Sequence, residues 1–314
     1  MSKIAFVFPG QGSQTVGMGQ DFAEQTPEGK ELFQKADEVL NDQLSKIMLQ
    51  GPKEELTLTY NAQPALVTAS IAAWKLLDKE GIKPDFTAGH SLGEYSALVA
   101  SGVLSFEDAV VAVRKRGEFM NEAVPSGQGA MAAIMGMEAG ALEEITQSVT
   151  EEGHSVQLAN LNCPGQIVIS GTAKGVEVAS ARAKEAGAKR AIPLEVSGPF
   201  HSELMKPAAE KLKAVLDGMS IADTDLPVIA NVTAQPVTDG KQIKDLLIQQ
   251  LYSPVRWEES IKTLIEQGAD TFVEIGPGKV LSGLIRKIDR SVKTLSVSDM
   301  DTLQSAITAL KEEA

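Results

Sequence analysis

The chain has 314 residues, 43% of them apolar and 23% charged, which fits one large domain with an insert, or two domains, and a core that needs neither disulfides nor metal. With 29 Lys and Arg against 42 Asp and Glu, the formal net charge of −13 and the 4% of aromatic residues argue against general DNA or RNA binding and against a base-stacking surface. A single cysteine, Cys163, rules out an intrachain disulfide, and no apolar run approaches membrane-spanning length.

Met1-Ser2-Lys3 leads into the short apolar run Ile4 to Phe8, too brief for a signal peptide and well suited to a buried strand stopped by Pro9-Gly10. A cytoplasmic protein is therefore expected, with Cys163 an incidental thiol. Pro64 to Leu77 reads as an apolar helix ending near Gly81. Phe86 to Ala88 reads as a strand and Glu94 to Ala100 as a helix. Phe106 to Ala123 reads as a helix capped by Ser105. Strand and helix alternate, as in a parallel sheet with helices on its faces.

The next segment changes character. Ala130 to Met135 suits a strand, Glu138 to Glu151 a helix, and Ser155 to Leu161 and Gln166 to Ser170 two strands joined by Asn162-Cys163-Pro164-Gly165. Ala173 to Ala186 suits a helix and Arg190 to Val196 a strand. That βαββαβ order is the ferredoxin-like unit, and it predicts an inserted subdomain at 128–196. The first pattern then resumes. It has helices at His201 to Leu216, Ile243 to Leu251, Trp257 to Gln267 and Val280 to Lys287, and strands at Pro227 to Asn231, Thr271 to Ile275 and Lys293 to Val297.

Gly89-His90-Ser91-Leu92-Gly93 is the most informative stretch. A serine between two glycines, after a strand and before a helix, is the setting of a nucleophile elbow. A serine nucleophile at neutral pH needs a base. The chain has three histidines, His90, His154 and His201, with no metal-ligand spacing, so no metal site is expected. His90 adjoins Ser91, where side chains diverge, and His154 reads as a surface loop residue of the insert. His201 follows the stiff turn Gly198-Pro199-Phe200 and is the expected base. No carboxylate marks itself as a third member, so a backbone carbonyl could orient the imidazole instead.

Two further features bear on chemistry. In Phe8-Pro9-Gly10-Gln11-Gly12, the glycines would let the Gln11 backbone approach a ligand, and with Leu92 it could supply two N–H groups to an oxyanion; an ordinary strand-to-helix turn is the alternative. Arg116 shares an apolar helical stripe with Ala109, Ala112, Val113 and Met120. An arginine there needs a partner, either an internal salt bridge or a ligand carboxylate. Arg114 and Lys115 are expected to be solvated.

Together, Phe8-Pro9-Gly10-Gln11-Gly12, Gln63-Pro64-Ala65, Gly89-His90-Ser91-Leu92-Gly93-Glu94, Arg116, Phe200-His201-Ser202, Gln250 and Glu274-Ile275-Gly276-Pro277-Gly278 resemble the malonyl-CoA:acyl carrier protein transacylases of bacterial type II fatty acid synthesis, from Phe6 to about Val297. The resemblance implies an α/β-hydrolase-like parallel-sheet core, residues 1–127 and 197–314, with the ferredoxin-like insert at 128–196. It implies Ser91 as nucleophile and His201 as base, with Gln250 orienting His201 through its main-chain carbonyl. Gln11 and Leu92 would form the oxyanion hole. Arg116 would hold the malonate carboxylate, and Phe200 would exclude a 2-methyl branch. Gln63 is carried over as substrate-binding, and Asn162 and Gln166 as lining the pantetheine channel. The Glu274 segment reads as a turn shaping the site.

The implied reaction is ping-pong, with malonyl-CoA and holo acyl carrier protein as partners and neither nucleic acid nor membrane. No metal or redox cofactor is implied; CoA and phosphopantetheine carry the substrate. Because the carrier is usually acidic, a basic patch near the cleft including Lys189 and Arg190 is expected. A serine hydrolase shares Ser91 and His201 but leaves Arg116 unexplained, and a non-catalytic scaffold has no reason to keep the three together.

Overall fold

In a computed structural model that describes residues 3–125 and 127–312, the N-terminal apolar run forms β1 (Lys3–Phe8), buried on both faces. The other strands are β2 (Phe86–Gly89), β3 (Gly129–Met135), β4 (Val156–Cys163), β5 (Gln166–Thr172), β6 (Arg190–Pro193), β7 (Val228–Ile229), β8 (Pro236–Val237), β9 (Ala269–Ile275) and β10 (Lys293–Val297). Met1, Ser2, Ser126, Glu313 and Ala314, and with them the outer limits of the expected core, lie outside the described residues.

A six-stranded sheet runs in the order β10-β9-β1-β2-β7-β8, parallel except for the β7–β8 pair. Alternation along β1 splits its core in two. Phe6 and Phe8 pack on one side with Leu66, Tyr95, Leu98 and Val113, while Ala5 and Val7 pack on the other with Trp257, Ile261, Phe272 and Ile285. Phe8 pairs with Gly89 and Val7 with Glu274, so β1, β2 and β9 end together. Loops that follow the carboxyl ends of parallel strands gather where ligands bind in open α/β sheets.

The second sheet, β4-β5-β3-β6, is antiparallel and four-stranded, with its helices Ala139–Glu151 and Ala173–Glu185 packed around Ile134, Leu142, Leu158, Ile169 and Val176. β4 is tied to the main chain beyond it: Leu161 N donates to Val255 O (2.9 Å), and Val255 N to Ala159 O (2.8 Å). The mixed α/β class expected from sequence, a parallel-sheet core with a small antiparallel subdomain, is the class observed.

Several boundaries differ from expectation. The helix expected from Pro64 starts at Thr59 and runs to Lys79, with Pro64 inside it. Burial of every residue from Asn61 to Ala73 outweighs the one intrahelical bond that proline removes. β4 continues through Cys163, leaving Pro164-Gly165 as the turn, with Gly165 at φ +71°. β6 ends at Pro193 rather than Val196: Leu194 N makes one more bond to Met131 O (2.9 Å), and the chain then leaves the sheet to line a cleft. His201 is not a helix start: its φ is +57°, and the helix begins at Lys206 after one 3-10 turn. Five helices, Gln20–Gln25, Pro27–Leu40, Leu44–Gln50, Lys53–Thr57 and Met300–Lys311, have no counterpart in the sequence reading.

Candidate active site

Ser91 stands between β2 and the helix Gly93–Ala100 at φ +53°, a left-handed conformation that a serine keeps only where its surroundings hold it. Here they do. Ser91 N donates to Asn231 Oδ1 (2.8 Å), Asn231 Nδ2 donates to Gly89 O (2.7 Å), and His90 N donates to Phe8 O (3.0 Å). The flanking glycines are sterically required. A Cβ on Gly89 would lie 1.9 Å from the Gly93 carbonyl, and one on Gly93 would lie 2.2 Å from Phe8 O. Only bare backbone lets strand and helix approach this closely.

The Ser91 Oγ lies 2.8 Å from His201 Nε2 and 3.1 Å from Arg116 Nη2. On the far side of the ring, His201 Nδ1 is 2.8 Å from the Gln250 main-chain carbonyl oxygen. A carbonyl only accepts, so Nδ1 carries the proton and Nε2 offers a lone pair to the serine hydroxyl. Burial, together with the positive charge of Arg116, pushes His201 down to about 3, so the ring is neutral at ordinary pH. Its backbone is braced from the insert: Gln157 Nε2 donates to His201 O (3.2 Å) and Tyr252 O (3.4 Å), and Gln157 Oε1 accepts from Glu203 N (2.9 Å).

Arg116 is 1% exposed, with its tip at the cleft. Nη1 donates to Gln63 Oε1 (2.8 Å) and Nη2 to Gln250 Oε1 (2.9 Å), and the guanidinium sits 5.9 Å from the centre of the Tyr95 ring. Among the described residues Nε has no partner, and no carboxylate lies within salt-bridge distance of Arg116. Of the two roles open to it, the internal salt bridge is not the one built. Arg114, expected in solvent, instead bonds Asn61 Oδ1 (2.8 Å) and pairs with Asp42 (2.9 Å). Its helix turns it toward the neighbouring helix Thr59–Lys79.

The cleft encloses about 380 Å³. Ser91, His201 and Arg116 meet in it, and Gln11, Leu92 and Phe200 also line it, Phe200 beside Met120, Met131, Leu194 and Val196 on an apolar wall. Among the described residues neither the Gln11 nor the Leu92 main-chain N–H makes a hydrogen bond. Gln63 and Gln250 are fully buried behind Arg116. Asn162 and Gln166 are not among the lining residues: Asn162 Oδ1 is 2.8 Å from His90 Nε2, and Gln166 Oε1 faces Cys163 Sγ at 3.7 Å. Cys163 is buried, which raises its thiol pKa. Asn160, earlier on β4, reaches the cleft instead.

Lys189 and Arg190 are exposed and stand at the far end of β6 from the cleft lining. Arg190 pairs with Met135, whereas the cleft lies at Met131 and Leu194, about 13 Å along the strand. The carboxyl-bearing residues at the cleft are Glu54 and Glu195. Glu274, in the expected shaping turn, accepts from Leu281 N (3.0 Å) and Ser282 N (2.7 Å) and so caps the helix Val280–Ile288.

Two residues passed over as individuals complete the site. Asn231 pins the elbow as described. Glu94, 2% exposed in an apolar helix, accepts from Gln250 Nε2 (2.8 Å) and Asn231 N (3.2 Å), while burial pushes its carboxyl up to about 7. The signal that singled out Arg116, a charge among apolar helical neighbours, would have found Glu94 too. Among the described residues no cluster of three or more His, Cys, Asp or Glu could hold a metal, and no helix is long and apolar enough to cross a membrane.

A neutral imidazole on a serine hydroxyl, beside two free N–H groups and a buried guanidinium without a direct salt bridge, can carry out acyl transfer on a substrate bearing a carboxylate. Known proteins agree with that chemistry. The family model of the acyl transferase domain matches residues 5–309. A malonyl CoA-acyl carrier protein transacylase of Bacillus subtilis (strain 168) is 69% identical over 313 residues, covering 100% of this chain and 99% of that one. The crystal structure of an acyl carrier protein S-malonyltransferase from Vibrio cholerae superposes with a TM-score of 0.95 at 47% identity, over 97% of this chain and 100% of that one. A malonyl-transacylase in complex with its type II PKS acyl-carrier protein also superposes with a TM-score of 0.95, at 44% identity over 98% and 100%. This chain belongs to the acyl transferase domain family, within its malonyl-CoA:acyl carrier protein transacylases.

Proposed function

We propose that the chain moves the malonyl group from malonyl-CoA to the phosphopantetheine thiol of acyl carrier protein by way of a malonyl ester on Ser91, supplying malonyl units for fatty acid synthesis. One observation carries the reading: the Ser91 hydroxyl lies within hydrogen-bond reach of both a neutral His201 and a buried Arg116 that, among the described residues, makes no direct salt bridge, with Glu94 one amide away behind Gln250.

Ser91 Oγ attacks the thioester carbonyl as its proton passes to His201 Nε2. The carbonyl oxygen becomes an oxyanion held by the N–H groups of Gln11 and Leu92, each such donor being worth roughly 10²–10³ in rate. Collapse breaks the C–S bond, and His201 returns the proton to the departing CoA sulfur. The carrier thiol then gives its proton to His201 and attacks the ester, and Ser91 Oγ leaves with that proton. The Gln250 carbonyl keeps the ring in the required tautomer. Arg116 takes the free malonate carboxylate, and the Phe200 ring on the cleft wall disfavours a 2-methyl branch. Exclusion of one methyl is worth about 1–3 kcal/mol.

On the same reading, residues 1–127 with 197–314 form the catalytic core, residues 128–196 form the insert, and the protein works in the cytoplasm. Support for the division comes from the four-stranded antiparallel sheet, whose strands fall between Gly129 and Pro193. The test is transfer of the malonyl label to holo and apo carrier protein. Label on the holo form alone is expected; release of malonate to water with none on the carrier would contradict the reading.

A further inference from the structure

We infer that Glu94 is a positioning residue for the carboxylate clamp: acting through the side-chain amide of Gln250, it sets where the Arg116 guanidinium stands beside Ser91. The inference rests on the reading of Arg116 as the malonate clamp.

A carboxamide can present oxygen or NH₂ in either of two orientations of nearly equal shape, and its neighbours decide between them. At Gln250 they decide one way. Nε2 faces acceptors, Glu94 Oε2 at 2.8 Å and Ser91 O at 3.0 Å, while Oε1 faces the donor Arg116 Nη2 at 2.9 Å. The opposite orientation would set NH₂ against guanidinium and oxygen against carboxylate. Gln250 is fully buried and Glu94 nearly so, and neither lines the cleft, so Glu94 acts without touching the acyl group. The reaction itself uses no carboxyl group, yet one is held here in a dry interior, hydrogen-bonded to Gln250 and one amide away from the Arg116 guanidinium. Glu94 also accepts from Asn231 N, which leads to the nucleophile elbow. A role confined to the elbow would affect every acyl donor alike, whereas a role through Gln250 affects the carboxylated donor.

The experiment compares kcat and KM for malonyl-CoA and acetyl-CoA, with holo carrier protein as acceptor, in the wild type, Glu94→Met, Glu94→Gln, Gln250→Leu, Glu94→Met/Gln250→Leu and Arg116→Ala. Glu94→Met keeps length without an acceptor. It is expected to raise the KM for malonyl-CoA about tenfold, the equivalent of one lost hydrogen bond, and to leave acetyl transfer within about threefold. Glu94→Gln retains an acceptor oxygen and is expected to restore the wild-type ratio. The double variant should lose no more selectivity than Gln250→Leu. If Glu94→Met does not fold, Glu94→Asp decides, because it withdraws the carboxylate by one bond length, about 1.5 Å, and should give the same selective rise. Equal losses for both donors, or a double variant whose selectivity losses simply add, would overturn the role of Glu94. Equal losses in Arg116→Ala would instead overturn the clamp on which it rests.

Discussion

The Nδ1 of His201 lies 2.8 Å from the main-chain carbonyl oxygen of Gln250, while the side chain of that same glutamine holds Arg116 at 2.9 Å. Base and clamp thus share one residue, through atoms that substitution can separate. The carbonyl persists whatever side chain stands at 250, which accounts for a serine site that has no third acid.

Arg116→Ala is expected to lower kcat/KM for malonyl-CoA by about a hundredfold, since charged hydrogen bonds are worth roughly 1.5–3 kcal/mol each, and to lower acetyl transfer far less. Steady-state kinetics with the two donors check this. Equal losses would remove Arg116 from the role of carboxylate clamp.

The pH profile carries a related signature. A His201 pushed down to about 3 is neutral at every pH above about 4, so acetyl transfer should show no acid limb near the ordinary histidine value of 6.5. Burial is the larger cause and the Arg116 charge the second. A positive neighbour disfavours a second positive charge, so its removal in Arg116→Ala raises the base and moves the acid limb to higher pH. An acid limb near 6.5 in acetyl transfer by the wild type, or no movement in the variant, would contradict this electrostatic account.

Asn231→Ala leaves the Ser91 N–H and the Gly89 carbonyl without their partner, each a buried loss of about 1–3 kcal/mol. The elbow then loses the bond that keeps Ser91 at its left-handed φ. Urea denaturation is expected to show a stability loss of about 2–4 kcal/mol, and kcat should fall for malonyl and acetyl donors together. A fall confined to one donor would place Asn231 on the clamp side of the site.

Gly93→Ala is expected to abolish folding or to cost about 3 kcal/mol or more, because its Cβ would meet the Phe8 carbonyl oxygen at 2.2 Å, and two main-chain segments cannot step aside. Gly140→Ala is the control. Its Cβ meets nothing within 4 Å in the first turn of a helix, so stability should rise by up to about 1 kcal/mol. Melting temperatures of the pair give the comparison.

The sequence carried the local parts of this molecule further than the long-range ones. Ser105 marked its helix because a serine before Phe106 caps on its own, and its Oγ accepts from Asp108 N at 3.0 Å. The glycines of the elbow were legible because close approach leaves no other residue type. Of the helices between Gln20 and Thr57, Gln20–Gln25, Leu44–Gln50 and Lys53–Thr57 are too short for a sustained period and hold their places by packing residues such as Phe22 and Met48 into the shared core, whereas Pro27–Leu40, capped by Thr26 and burying Leu32, Phe33 and Ala36, carried a legible signal. Asn231 could not be read, because its two bonds cross 140 and 142 positions of chain to Ser91 and Gly89. Lys189 and Arg190 were visible as charges, but not how far they stand from the cleft. That distance depends on the pairing of Arg190 with Met135 and of Leu194 with Met131.

The most direct measurement is intact-protein mass after brief exposure to malonyl-CoA, with peptide mapping of the modified site and a chase with holo acyl carrier protein. The account predicts the gain of one malonyl group, mapped to Ser91, absent in Ser91→Ala, and lost to the carrier in the chase. A gain that persists in Ser91→Ala, or transfer to the carrier with no covalent malonyl-enzyme at all, would contradict it.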